Sequence, residues 1–447
     1  MSDTIYALAS ARGRAGVAVI RVSGSRALDS LKMLTNLREV KYRHACLLEL
    51  KHNVSRETLD NALVLAFKSP NSYTGEDVVE YHLHGGIAVI DGVMDALSNI
   101  DGHRMAQAGE FTRRAFENGK MDLTEAEAIA DLIHAETEAQ KSQALSQMSG
   151  SLANIYNDWA VRLTKILAYV EAELEFPDED LPDEILPRIT PQIDALKAEI
   201  DAHLNDNRRG ERLRNGIHVA IIGAPNAGKS SLVNALVQRD VAIVSSVAGT
   251  TRDVIEAHLD IGGYPVILSD TAGLRPDQID DNNAQDIIES EGIRRALKIA
   301  NDADIRVILY DGTSKELDKH SLALEEHENT ITLINKSDQE VKLQHPSNPL
   351  RISVTKNDNI SEFLEELTAM IDALIGKKSE APALTRKRHR EALLDCNCSL
   401  DRCLNAPLPE LTAEDLRLAV RHLGRITGRV DVEDLLDVVF RDFCIGK

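Results

Sequence analysis

The octapeptide Gly223-Ala224-Pro225-Asn226-Ala227-Gly228-Lys229-Ser230 follows the apolar run Val219-Ala220-Ile221-Ile222 and precedes Ser231-Leu232-Val233-Asn234-Ala235-Leu236, whose apolar spacing is helical. A buried strand, a glycine-rich turn and a helix in immediate succession leave few folds open, because the backbone must curl so that its N–H groups and the helix N-terminus converge on one point. That point suits a phosphate. Lys229 would set a cation beside the terminal phosphates, and the Ser230 hydroxyl would hold Mg²⁺.

Three further segments follow in order: Gly249-Thr250-Thr251-Arg252-Asp253, Asp270-Thr271-Ala272-Gly273 and Asn335-Lys336-Ser337-Asp338. Asp270 closes the strand-like Pro265-Val266-Ile267-Leu268-Ser269 and is placed to hold Mg²⁺ through water, while the Gly273 amide can sense a γ-phosphate and Thr251 can complete the metal shell only when that phosphate is present. The Asp338 carboxylate can accept from both the ring N–H and the exocyclic amine of guanine, donors that adenine does not present on that edge. Ser353-Val354-Thr355 stands where a backbone contact to the guanine carbonyl is expected. The order of these segments points to a GTP-hydrolysing switch. The residue after Gly273 is Leu274, which cannot orient water, so the group that aligns the attacking water must come from elsewhere.

The chain has 447 residues, enough for two to four domains, and a formal net charge of −21. Such a balance argues against a nonspecific polyanion binder. The acidic run from Glu171 to Glu184 reads as a solvated loop, and two basic runs, Arg208 to Arg214 and Arg386 to Arg390, as solvated helix faces or linkers, with phosphate contact as the alternative. Cys46, Cys396, Cys398, Cys403 and Cys444 are odd in number and irregular in spacing, which fits a reducing compartment and no zinc site. The N-terminus has no basic and apolar leader, and no apolar run approaches the roughly 20 residues that span a bilayer, so a cytoplasmic protein is expected.

Up to about residue 118 the pattern is mixed, with strand-like 16–22 and 61–67; residues 123–173 and 189–213 read as helix, and helical texture returns after residue 386. The nucleotide-binding segments lie between. The reading is a multidomain α/β chain: an α+β N-terminal domain (1–118), an all-α helical domain in two parts (119–215 and 377–447), and a P-loop, Ras-like GTPase domain with a mostly parallel sheet (216–376) inserted into it. Beads on a string is the alternative. His82 and His84, on alternate strand positions without a third ligand, read as packing or hydrogen-bonding groups.

Beyond the generic nucleotide motifs, the chain carries Asp3-Thr4-Ile5, Gly16-Val17 through Arg21-Val22-Ser23-Gly24, Ser72-Tyr73-Thr74-Gly75-Glu76-Asp77 with His84-Gly85-Gly86, Gly109-Glu110-Phe111-Thr112, Arg114-Ala115-Phe116, Asn118-Gly119-Lys120 and Cys444-Ile445-Gly446-Lys447. With these blocks in order over nearly its whole length, it resembles the tRNA modification GTPases of the MnmE (TrmE) family. That resemblance implies a tetrahydrofolate-binding N-terminal domain and a homodimer that works with the flavoprotein MnmG on carbon 5 of the wobble uridine of certain tRNAs, using 5-formyl- or 5,10-methylene-tetrahydrofolate as one-carbon source and FAD only through the partner. It maps folate contacts onto Arg21, Glu80, Lys120 and Lys447, although from the residues alone Arg21 and Glu80 read as ordinary surface groups.

The resemblance also implies K⁺ activation, with ligands at Asn226, Ser245, Val247 and Thr250. GTP contacts extend over Asn226 to Ser231, the loop Ser245-Ser246-Val247-Ala248-Gly249-Thr250-Thr251, Asp270 to Gly273, Asn335 to Asp338 and Ser353 to Thr355. The water-orienting acid maps onto Glu289, three residues before Gly292-Ile293-Arg294-Arg295, with Asp286 and Glu291 as competitors in a stretch longer than usual. Cys444 is either a nucleophile or proton-handling thiol for the uracil ring or a small apolar residue that seats the tail.

Overall fold

The computed structural model describes residues 3–37, 39–175, 185–239, 256–270, 298–376, 382–430, 433–441, 443 and 445–446. The chain packs as two compact units: residues 1–130, 147–190 and 398–447 form one, and residues 131–146 and 191–397 the other.

The first unit holds a six-stranded sheet in the order β3-β4-β5-β2-β1-β6, built from β1 (Thr4–Leu8), β2 (Ala15–Ser23), β3 (Cys46–Lys51), β4 (Thr58–Phe67), β5 (Val78–Gly85) and β6 (His103–Met105). Only β1 and β6 run parallel. Side chains alternate between the faces of a strand. On one face Ala18, Ile20 and Val22 of β2, Ala62, Val64 and Ala66 of β4 and Val79, Tyr81 and Leu83 of β5 join the helices Ala27–Leu34 and Ile87–Ser98 in a core. The same alternation puts Arg21 and Glu80 on the opposite face.

The helical part of this unit is broken more often than the sequence texture predicts. Residues 123–173, read as helical throughout, form Leu123–His134, Glu138–Met148 and Ser151–Glu175, of which residues 131–146 belong to the second unit, with Gly150 in left-handed backbone (φ 84°) at the last break. Helix Ser151–Glu175 packs against Pro409–Thr427, and helix Glu433–Arg441 buries Leu436 and Phe440 with Leu123 and Ala126. Helices from both sides of the inserted domain therefore share one packing unit.

The second unit contains β7 (Ile217–Ile222), β8 (Glu256–Ile261), β9 (Tyr264–Asp270), β10 (Ile305–Asp311), β11 (Thr330–Asn335) and β12 (Leu350–Arg351), in the order β12-β11-β10-β7-β9-β8. All neighbours are parallel except β8 and β9. Strands covered on both faces need near-continuous apolar runs. Accordingly Val219 and Ile221 of β7 enter one core with Phe363 and Leu367, while Ala220 and Ile222 enter another with Ile308 and Tyr310.

The two basic runs are structural. Arg214 and Arg386 each donate to Asp131 at 2.8 Å, Arg212 pairs with Asp304 at 2.8 Å, and Arg390 binds Glu211 at 2.7 Å and Asp206 at 2.6 Å. The solvated-face reading fails for these four arginines, because partial burial demands acidic partners and the fold supplies them, while Arg208 and Lys387 of the same runs stay 58% and 76% exposed. The stretch 189–213, read as helical, forms two helices, Ile185–Leu204 and Arg209–Asn215, separated by Asn207 and Arg208 at positive φ.

Candidate functional site

Parallel strands bring their C-terminal ends to one edge of the sheet, and the order puts β7 where connections leave to opposite sides, the place where open α/β sheets form ligand crevices. β7 runs into the glycine-rich loop; Asp270, the last residue of β9, is in register with Ile221, and Asp311, the last of β10, with Asn335, the last of β11. Helix Lys229–Val237 begins after Gly228, whose φ of 102° is open to glycine and strained for other residues. A Cβ at Gly228 would also fall on Asn335 Nδ2.

That amide explains the close approach. Asn335 is buried; its Nδ2 donates to the Ala227 carbonyl at 2.8 Å and its Oδ1 accepts from the Val354 amide at 3.3 Å, so one side chain joins three of the sequence motifs. Lys229 Nζ donates to the carbonyls of Gly223 at 2.8 Å and Ala224 at 2.9 Å, arched over the loop it serves. The Asp338 carboxylate accepts from Ser353 Oγ at 2.6 Å, and Ser353 is fully buried. The sequence suggests only a backbone role for residues 353–355; the side chain of Ser353 instead fixes the carboxylate that would read the base.

Lys336 has φ 65° and donates to Asp311 Oδ2 at 2.6 Å, while Asp311 Oδ1 accepts from the amide of Thr313 at 2.9 Å and its hydroxyl at 2.7 Å. Burial pushes the Asp311 carboxyl up, but these hydrogen bonds outweigh it and hold it below its ordinary value. Sequence reasoning passed over Asp311, whose only signal is an aspartate closing an apolar strand run. Of the expected nucleotide and metal residues, Ser245 to Thr251, Thr271 to Gly273 and Glu289 with its competitors lie outside the described residues.

A second cluster lies on the open face of the N-terminal sheet. Arg21 and Glu80 are opposite each other on β2 and β5, and Arg21 Nε donates to Glu80 Oε1 at 2.9 Å. The Arg21 guanidinium lies 5.0 Å from the Tyr73 ring centre and 5.7 Å from that of Phe111. These are not ordinary surface groups: the side chains are 19% and 17% exposed, held between strands and rings. Lys120 Nζ donates to the Pro70 carbonyl at 3.0 Å, on the loop that carries Tyr73. Cys444 and Lys447 lie outside the described residues, but their neighbours are seated in this unit: Ile445 pairs with Ala108, and a Cβ at Gly446 would overlap the carbonyl of Leu8, the strand partner of Ile20.

The remaining sequence blocks converge beside this cluster. Arg114, buried, donates to the Asp3 carbonyl at 2.8 Å, to Glu76 at 3.1 Å and to Glu110 at 3.1 Å; Ser23 Oγ donates to Glu76 at 2.7 Å, and Arg104 reaches Glu110 at 2.6 Å. Burial pushes the Glu110 carboxyl up, yet the bonds from Arg104, the Gln107 amide and Arg114 carry it below the usual value. His84 Nδ1 lies 2.8 Å from Asp60, a hydrogen-bonding role, and no metal-ligating cluster occurs among the described residues.

Comparison with known proteins matches residues 4–120 to the family model for the GTP-binding protein TrmE N-terminus and residues 123–444 to that for the MnmE helical domain. Over the full length of both chains, the sequence is 51% identical to the tRNA modification GTPase MnmE of Parvibaculum lavamentivorans. The chain belongs to the MnmE/TrmE family. Family proteins named tRNA modification GTPase MnmE from Paramagnetospirillum magneticum and Rickettsia rickettsii are 48% and 46% identical, again over 100% of both chains. The helical-domain match brackets the mostly parallel sheet of residues 217–351, so the GTPase domain is an insertion in the helical one.

Proposed function

We propose that this chain is a K⁺-activated GTP hydrolase that, as a homodimer with the flavoprotein MnmG, adds an aminomethyl- or carboxymethylaminomethyl-type group to carbon 5 of the wobble uridine of certain tRNAs in the cytoplasm, using a folate one-carbon unit. The observation that carries the GTPase part is the cradle in which Asn335 joins Ala227 to Val354 while Ser353 holds Asp338. The carboxylate recognises guanine, the loop amides and Lys229 take the phosphates, and Lys229 must exchange its two carbonyl bonds for phosphate oxygens on binding.

The oxygen donors of the metal set suit hard cations. Ser230 and Thr251 would hold Mg²⁺; Asn226, Ser245, Val247 and Thr250 would hold K⁺, which would supply positive charge to the phosphate oxygens where other GTPases use an arginine. Glu289 is assigned the orientation of water. Cycling of paired GTPase domains through association and release would transmit hydrolysis to the rest of the dimer.

Support for the folate part comes from Arg21, Glu80 and their two aromatic neighbours, an ion pair beside rings that fits a flat heterocycle with polar edges. Lys120 and Lys447 complete that set, with Cys444 at the uridine or in the tail. The domain limits 1–118, 119–215, 216–376 and 377–447 belong to the same proposal. Among the described residues no helix is long and apolar enough to cross a membrane.

The test is gene deletion followed by mass spectrometry of wobble-uridine nucleosides in total tRNA, with wild-type and Asp270→Ala complementation. Loss of carbon-5 aminomethyl-type uridines, restored by wild type alone, supports the proposal. An unchanged nucleoside profile refutes it.

A further inference from the structure

Lys336 lies between Asn335, which is bonded to the Ala227 carbonyl, and Asp338, which is bonded to Ser353, yet its own ammonium reaches neither neighbour's partners. Its left-handed backbone (φ 65°) sends the side chain back across the strand ends to Asp311, where Nζ meets Oδ2 at 2.6 Å. Asp311 cannot swing with it. Its other carboxylate oxygen is held by the amide and hydroxyl of Thr313 at 2.9 and 2.7 Å, and the next residue, Gly312, donates its amide to the Asn335 carbonyl at 2.9 Å. A side chain at Gly312 would meet that carbonyl at 2.7 Å, so β10 and β11 are locked together at this point. The two charged side chains are 26% and 21% exposed, half-shielded from solvent and from competing ions.

We infer that Asp311 is a positioning residue for the guanine base: by anchoring the ammonium of Lys336 it lays the four methylenes of that side chain out as a fixed apolar wall for one face of the ring. The inference rests on reading Asn335 to Asp338 as the base-recognition segment. A free lysine side chain loses rotamer entropy when fixed, and here the fold meets that cost before the nucleotide arrives. Asp311 touches no atom of the base; it acts through Lys336, and it affects binding of GTP and GDP alike without entering the hydrolytic step.

The experiment uses the full-length protein and measures the affinity of a fluorescent N-methylanthraniloyl-GDP together with kcat and KM for GTP. Asp311→Ala is expected to weaken GDP affinity and raise KM by roughly tenfold, the scale of one charged hydrogen bond, with kcat within about twofold of wild type. Lys336→Ala is expected to weaken both at least as much, and Asp311→Ala added to it to cause no further loss, because the wall is already gone. Additive losses, or a lowered melting temperature with unchanged KM, overturn the inference. If Asp311→Ala does not fold, Asp311→Asn is read the same way, with a smaller rise in KM expected since the amide oxygen still accepts from Thr313, and an unchanged KM again overturning the inference. Wild-type protein that fails to bind the GDP probe would instead refute the guanine site on which the inference rests.

Discussion

Asn335 Nδ2 donates to the carbonyl of Ala227 across 108 residues of sequence, at 2.8 Å and out of solvent, while Oδ1 of the same side chain accepts from Val354. The amide thus ties the glycine-rich loop, the end of β11 and the segment 353–355 together. Asn335→Ala leaves a buried carbonyl and an amide without partners, at about 1–3 kcal/mol each. Both nucleotide affinity and thermal stability are expected to fall, checked by GDP titration and calorimetry of one preparation.

Ser353 makes a narrower contribution. Its hydroxyl orients Asp338 at 2.6 Å and accepts from the Lys356 amide at 3.1 Å. Ser353→Ala is expected to raise KM for GTP by about threefold to tenfold with kcat preserved. Steady-state kinetics over a GTP series decide it; a fall in kcat at constant KM would contradict the role.

Arg21 and Glu80 separate the two proposed activities. Arg21→Ala is expected to abolish detectable 5-formyl-tetrahydrofolate binding by isothermal titration while GTP turnover stays within about twofold, since the pair lies in the other compact unit. Equal folate affinity in wild type and variant would remove Arg21 from that site.

Stability at low pH should depend on Glu110. Its folded carboxyl titrates below the ordinary value of 4.5, so its contribution is full above that value and is lost as pH falls through the depressed folded one. Urea denaturation at pH 7 should show Glu110→Gln less stable than wild type, and the gap should close as the pH is lowered below 4.5. A gap independent of pH would assign the effect to packing.

Cysteine reactivity provides a check on packing. Burial pushes the Cys396 thiol up to about 12 and, with Asp415 adding to it, Cys403 to about 11, whereas Cys398 on the same helix is exposed. Only the thiolate reacts readily. Iodoacetamide mapping of native protein at pH 7.5 should label Cys398 well before Cys396 and Cys403, which should react fully only after unfolding.

The sequence by itself determined the elements whose cause is local. A glycine that must adopt positive φ before a helix, as Gly228 does, and apolar runs long enough for strands buried on both faces are written in consecutive residues. The strand-like runs 16–22 and 61–67 are β2 and β4, β2 one residue longer at each end and β4 three residues longer at its start only. What it misread were pairings between distant residues. Two basic runs looked like free charge because Asp131, Asp206 and Asp304, which neutralise them, lie elsewhere in the chain. Arg21 looked like surface because Glu80, Tyr73 and Phe111 approach it only when three segments fold together. Asp311 carried no motif at all. Local backbone preference and burial period are properties of short windows, but the partner of a buried charge is chosen by the tertiary fold, since desolvation penalises whichever charge is left without one.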